Sequence, residues 1–264
     1  MYNKKITLLI LTACTALVFI QSGCNAEHKQ QNPSKKHTSC FNVRDFGATG
    51  NGKILDTDAI QRAIDTCSKS GTGKVIVPAG KYLVGCIELK SNVNLHLEPA
   101  AVLLGSTNIK DYTVKTPAFE SRTNNLYVNR SIIYAEKADN ISLTGSGIIN
   151  GQGRARSFSQ TRPQSNRPYI ARFIECRNVI MRDISMLESA NWTCHILGCS
   201  GVLVDGIKIK NSVRANRDGL DIDSSNQVSV YNCRIFSQDD AIVLKSTAPV
   251  LLLSLTVYLP NKKV

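Results

Sequence analysis

Apolar residues along this chain fall in short alternating runs, and four of those runs share one frame. They are Asp139-Asn140-Ile141-Ser142-Leu143, Arg177-Asn178-Val179-Ile180-Met181, Ser200-Gly201-Val202-Leu203-Val204 and Asn226-Gln227-Val228-Ser229-Val230. Each sets a polar or small residue, then Asn, Gly or Gln, then a branched apolar anchor, a variable position and a second apolar residue. Alternation with period two marks a strand with one buried face. The anchors Ile141, Val179, Val202 and Val228 are spaced by 38, 23 and 26 residues. Such a recurrence predicts a solenoid of parallel strands, because one coil cannot bury its apolar face without neighbours. The long first step contains a polar insert, Gly151 to Arg167. Asn92-Val93-Asn94-Leu95 fits an earlier coil, its Asn92-Val93 pair lying 48 residues before Asn140-Ile141.

Turns are supplied by Gly, Asn and Asp at the strand ends, which tolerate a left-handed backbone or bond their own main chain. Three residues before each anchor stand Ala138, Cys176, Cys199 and Ser225. All are small, as a tight interior column requires when coils lie about 4.8 Å apart. A Cys176–Cys199 disulfide is geometrically possible there, and stacked free thiols fit equally well. At the N-terminal end, Asp56-Thr57-Asp58 offers helix-starting oxygens, and Ile60, Ala63, Ile64 and Cys67 form one apolar stripe at helical spacing. This helix is expected to plug the open end of the solenoid. Gly71-Thr72-Gly73 stops it, and Lys74-Val75-Ile76-Val77-Pro78 begins a strand. After Thr247 the anchor frame stops, Leu251-Leu252-Leu253 lacks alternation, and residues 248–264 are expected to be an aberrant or truncated tail; a divergent capping strand is the alternative.

The first residues predict targeting. Lys4 and Lys5 precede an apolar run from Ile6 to Ile20, too short to span a bilayer comfortably but suited to a secretory signal. Ser22-Gly23-Cys24 follows, similar to a bacterial lipobox, which makes Cys24 the lipidated first residue of the mature chain; Gln21 stands where an aliphatic residue is usual. Residues 1–23 are then a signal, 24–39 a polar flexible tether, and the folded domain spans 40–247. The expected location is the bacterial cell envelope through a lipid anchor, with plain secretion as the alternative.

Composition narrows the partner. The formal charge is +12, and without Lys4 and Lys5 it is still +10. That excess suits an anionic partner, and secretion argues against nucleic acid. Of nine cysteines, Cys14 would leave with the signal and Cys24 would carry lipid. The remaining seven include no CxxC pair, and Cys194-His195 with Cys199 lacks the spacing of a zinc site.

Candidate chemistry sits in two acidic clusters, Asn216-Arg217-Asp218-Gly219-Leu220-Asp221 and Gln238-Asp239-Asp240. Asp218 and Asp240 are 22 residues apart, close to one coil, so they are expected to stack on neighbouring strands with Asp239 beside them. Stacked like charges are costly unless a function needs them. Glycoside hydrolysis needs such a set: one carboxyl protonates the leaving oxygen while another activates water, the two roughly 6.5–9.5 Å apart in an inverting enzyme. Consecutive strand residues point to opposite faces, so Asp239 and Asp240 must sit at a bend. Asp221 and Asp223 are assigned to turn chemistry. Trp192, the one tryptophan, is a candidate for stacking on a sugar ring and Lys245 for contact with a uronate carboxylate. His195 is expected to be a hydrogen-bonded core or groove histidine.

These segments carry a resemblance. Asn216 to Asp221 resembles the Asn-Thr-Asp-Gly-x-Asp segment of glycoside hydrolase family 28, the polygalacturonase family, and Gln238 to Ser246 resembles its second acidic segment. Phe41-Asn42-Val43-Arg44-Asp45-Phe46-Gly47-Ala48 and Asp56-Thr57-Asp58-Ala59-Ile60 are similar to the entry of the wider pectin-degrading superfamily. The resemblance implies an all-β fold, a right-handed parallel β-helix with a short N-terminal capping helix. It implies hydrolysis of α-1,4-linked galacturonan with inversion, with Asp239 as general acid, Asp218 and Asp240 binding the water, and Asn216 positioning the site. No metal and no other cofactor is implied. The implied partner is acidic plant polysaccharide; membrane contact is through the lipid alone, nucleic acid is not a partner, and the chain is a monomer. Three departures stand out: Arg217 replaces Thr, and the family's Gly-His-Gly and Arg-Ile-Lys segments have no match in residues 248–264. Weak or no activity of the chain as written is therefore expected. A Ca²⁺-dependent β-helix lyase and a non-catalytic carbohydrate-binding solenoid remain alternatives.

Overall fold

The computed structural model describes residues 39–122, 129–158, 166–212 and 215–249, together with the backbone of Ser254–Val257. Cys24, the signal and residues 24–38 of the tether lie outside the described residues; Ser39, the tether's last residue, opens the strand Ser39–Asn42. Parallel strands wind into three sheets of eight, seven and six strands, a parallel β-helix. The eight-stranded sheet holds the repeats, and their anchors stack in register: Ile141 against Val179, Val179 against Val202, Val202 against Val228. The coil at Asn92 joins in the same register, with Asn94 opposite Ser142.

The residue before each anchor explains how the chain turns. Asn92, Asn140, Asn178, Gly201 and Gln227 all have φ between 51° and 69°. Asn reaches the left-handed region more readily than most residues and adds a side-chain amide. Here the amides form a ladder: Asn140 donates to Asn92 Oδ1 and Asn178 donates to Asn140 Oδ1, each at 3.0 Å. A second left-handed column, Lys137, Glu175, Gly198 and Ser224, repeats with the same steps. Anchors and their partners two residues on are at most 3% exposed, so every coil contributes to one continuous interior.

The small column is also in place. Ala138, Cys176, Cys199 and Ser225 are buried, and Cys176 and Cys199 are free thiols, as are the other five cysteines of the described residues. At the N-terminal end, the helix Thr57–Lys69 buries Ile60, Ala63, Ile64 and Cys67 completely. One expectation for it fails. Asp56 makes no capping bond to the helix; its carboxylate instead accepts from Thr49 N, Thr49 Oγ1 and Gly50 N, fixing the turn before the helix. Thr57 Oγ1 also turns away and accepts from Gly85 N at 2.8 Å. Beyond Thr247, the backbone of Ser254–Val257 pairs in parallel with Asn226–Tyr231 as a further rung of the eight-stranded sheet.

Candidate active site

The six-stranded sheet carries the site. Its strands Ile87–Glu88, Ser131–Glu136, Tyr169–Ile174, Cys194–Leu197, Leu220–Asp223 and Ile242–Lys245 stack in order. Alternation sends Leu220 and Ile222 into the interior and Asp221 and Asp223 to the outer face. Register then builds an outer row of Tyr134, Arg172, His195 and Asp221, and places Asp223 opposite Lys245. This polar row is covered: Arg172, His195, Asp221 and Asp223 are at most 1% exposed.

Just before Leu220 and Ile242 the chain leaves the sheet, and the three acids sit there. Gly219 N donates to Asp240 O at 2.9 Å, which makes Asp218 and Asp240 neighbours on successive coils. Bends at Gln238 and Asp239 release the alternation and let adjacent acids face one region. Oxygens of Asp218, Asp239 and Asp240 lie within 4.8 Å of one another. A triangle with edges up to that length has its centre at most about 2.8 Å from each corner, so a water held there would lie within hydrogen-bond reach of all three acids. Asp239 and Asp240 are exposed; Asp218 is 6% exposed, and its Oδ1 has no hydrogen-bond partner among the described residues. The nearest oxygens approach more closely than the carboxyl groups of a typical inverting pair, roughly 6.5–9.5 Å apart. The rung spacing of a parallel sheet, about 4.8 Å, accounts for the difference.

The family described as "Glycosyl hydrolases family 28" matches residues 67–258. The chain belongs to glycoside hydrolase family 28. It is similar to a Vitis vinifera protein described as a probable polygalacturonase, 32% identical over 212 residues, covering 76% of this chain and 43% of that one. An exo-poly-alpha-D-galacturonosidase of Dickeya chrysanthemi is 28% identical, covering 76% of this chain and 41% of that one. Among solved structures, the exopolygalacturonase of Thermotoga maritima superposes with a TM-score of 0.69 at 27% identity, over 79% of this chain and 55% of that one. The chain thus spans less than half the length of these two relatives.

Of the residues singled out in this family 28 chain, Asp218, Asp239 and Asp240 come together as expected. Asn216 adjoins them, with φ 57°, and its Oδ1 accepts from Arg167 Nη2 at 2.8 Å. Arg167 is fully buried at the end of the polar insert and also donates to Ala215 O and Ala190 O. It ties the segment carrying Asp218 to the preceding coil. Arg217, the departure from the family pattern, donates to Gln238 Oε1 at 2.6 Å and so joins the two acidic segments.

Two expectations need correction. Trp192 offers no face to a sugar: it is 2% exposed, Lys245 Nζ sits 3.2 Å from its ring centroid, and Tyr169 and His195 pack around it. Asp221 and Asp223 are strand residues rather than turn residues, and each has a charged or polar partner. Lys245, 19% exposed, bonds Asp221 and lies 3.8 Å from Asp218 Oδ2. Asp223 accepts from Thr247 N at 3.0 Å and Thr247 Oγ1 at 2.5 Å.

Electrostatics follow from this burial. Arg172 Nε donates to His195 Nδ1 at 3.3 Å, which requires a lone pair there and leaves the imidazole proton on Nε2, facing Asp223 at 3.4 Å. Burial, opposed by Asp223, brings His195 down to about 4, so the ring is neutral. Burial alone would raise Asp223, but the bonds from His195 and Thr247 outweigh it and hold it at about 2. Asp221 is pushed up to about 8 by burial, with Lys245 pulling the other way. Asp218 is raised, first by burial and then by Asp239 and Asp240, again against Lys245.

Proposed function

We propose that this chain hydrolyses α-1,4-galacturonosyl bonds of pectin or polygalacturonate by inversion, at the weak rate expected from its sequence. Asp239 protonates the leaving oxygen; Asp218 and Asp240 hold and activate the water; Asn216 fixes the segment that carries Asp218. The observation that carries this reading is the triangle of three carboxylates on successive coils of a family 28 chain. A water at its centre would lie within hydrogen-bond reach of all three acids, and Lys245 opposes the rise that burial and the two exposed acids impose on Asp218, as a water-activating base requires. The net charge of +12 suits a polyanionic substrate.

The test is incubation of the full chain with polygalacturonate, measuring new reducing ends and following the anomeric proton by NMR. Release of β-configured galacturonate supports inversion, and release of the α anomer refutes it. An unsaturated product absorbing in the ultraviolet and abolished by chelator identifies a lyase instead. Binding without turnover, unchanged in Asp239→Asn, identifies a binding solenoid. We further propose envelope anchoring through lipid on Cys24, which Cys24→Ser should release from the membrane fraction.

A further inference from the structure

Lys245 is placed more tightly than a substrate contact needs. Its ammonium rests on the Trp192 face at 3.2 Å, bonds Asp221 Oδ1, and stands 3.8 Å from Asp218 Oδ2. A desolvated ammonium on an indole face is a strong seat, and a bonded carboxyl fixes its direction. The lysine and the acid it faces come from adjacent coils, so the sheet holds their spacing.

We propose that Lys245 is a positioning residue for the water-binding carboxylate: seated between Trp192 and Asp221, it anchors Asp218 Oδ2 and leaves Asp218 Oδ1 to take the water. This inference rests on the hydrolase reading above. Among the described residues, Lys245 is the cation within ion-pair reach of Asp218. The other charged groups nearby are committed elsewhere. Asp223 is taken by His195 and Thr247, and Arg172 lies on the far side of the neutral His195. Asp239 and Asp240 face Asp218 from the exposed side and repel its charge. Burial keeps the proton on Asp221 up to about 8, so near neutrality Lys245 meets a neutral carboxyl there and its charge acts on Asp218. Without Lys245, burial and the two exposed acids would act on Asp218 unopposed, and it would hold its proton when a base is needed.

Carboxyl ¹³C NMR of aspartate-labelled full chain tests this, with the Asp218 signal assigned through Asp218→Asn. In Lys245→Met, Asp218 should titrate at higher pH than in the wild type. Trp192→Leu, which removes the seat and keeps the charge, should move it the same way, and Lys245→Arg should hold it near the wild-type position. In the hydrolysis assay, the acidic limb of kcat in Lys245→Met should move to higher pH, with about a tenfold loss at its foot and KM within about twofold. An unmoved Asp218 titration in both Lys245→Met and Trp192→Leu overturns the proposal. A wild type without turnover overturns the hydrolase reading instead, and the NMR result still decides the placement of Lys245.

Discussion

Replacing Asp221 by Asn should change the shape of the stability–pH curve, because two fully buried groups now pull against each other. The folded chain keeps a proton on Asp221 up to about 8, whereas the unfolded chain loses it near 3.8. Between those values the native state binds the extra proton, so stability falls as pH rises. His195 has the opposite sign. Its folded pKa of about 4 lies below the ordinary imidazole value of 6.5, so between them the unfolded state binds the extra proton and stability rises with pH. Each contributes about 1.4 kcal/mol per pH unit within its window. The two slopes cancel from about pH 4 to 6.5; from 6.5 to about 8 Asp221 acts alone and removes about 2 kcal/mol. Asn is nearly isosteric and does not titrate. Asp221→Asn should therefore gain about 3 kcal/mol from about pH 4 to 6.5 and then stay level toward 8. Asp218, also raised, adds the same falling slope to both proteins. Urea unfolding read through Trp192, the sole tryptophan, measures both curves at the site itself. Parallel curves for the two proteins, or a wild type that gains stability above pH 7, would refute a proton held on Asp221.

Three other substitutions probe the site and the frame beneath it. Asp239→Asn should lower kcat by about a hundredfold or more with KM little changed, since a general acid contributes roughly 10²–10⁴; steady-state kinetics on polygalacturonate decides. Gly219→Ala should separate the paired acids: its Cβ would lie 2.4 Å from Ala241 O and 2.6 Å from Ile235 Cγ2, between the coils that carry Asp218 and Asp240. The expected result is loss of activity and a lower urea midpoint, whereas a wild-type midpoint would contradict the packing. Asn178→Ala should cost about 1–2 kcal/mol, because φ is 55° and the amide ladder is broken, while Asn178→Gly should cost less; thermal unfolding compares them.

The solenoid frame was legible because it repeats. A left-handed position, an anchor and a small buried column recur at each coil, so a pattern in one dimension maps onto stacking in three. The three acids were legible for the same reason, as a 22-residue spacing approximates a coil. The helix cap at Asp56 misled because its carboxylate found backbone donors at Thr49 and Gly50, an outcome that local preference does not encode. Asp221 and Asp223 misled because polar residues often ladder on solenoid turns; their alternation with Leu220 and Ile222 was the available signal for a strand. Arg167 left none. It is an arginine at the end of a polar insert, and its partners Ala190 and Ala215 lie 23 and 48 residues away.

What the covered polar row does follows from what it costs. Buried charges seldom stabilise a fold, and well-packed apolar residues in their place often stabilise it more. Arg172, His195, Asp223, Asp221 and Lys245 nevertheless occupy one continuous stretch of the outer face, directly beneath the acid triangle. Two bonded sets make up the stretch: Arg172 sets the tautomer of His195, and His195 and Thr247 hold Asp223 ionised, while Lys245 spans Asp221 and Asp218. Directed bonds specify geometry in a way that an oily surface does not. The row is therefore best understood as a foundation that spends fold stability on the orientation of Asp218, the one acid of the triangle that is itself buried.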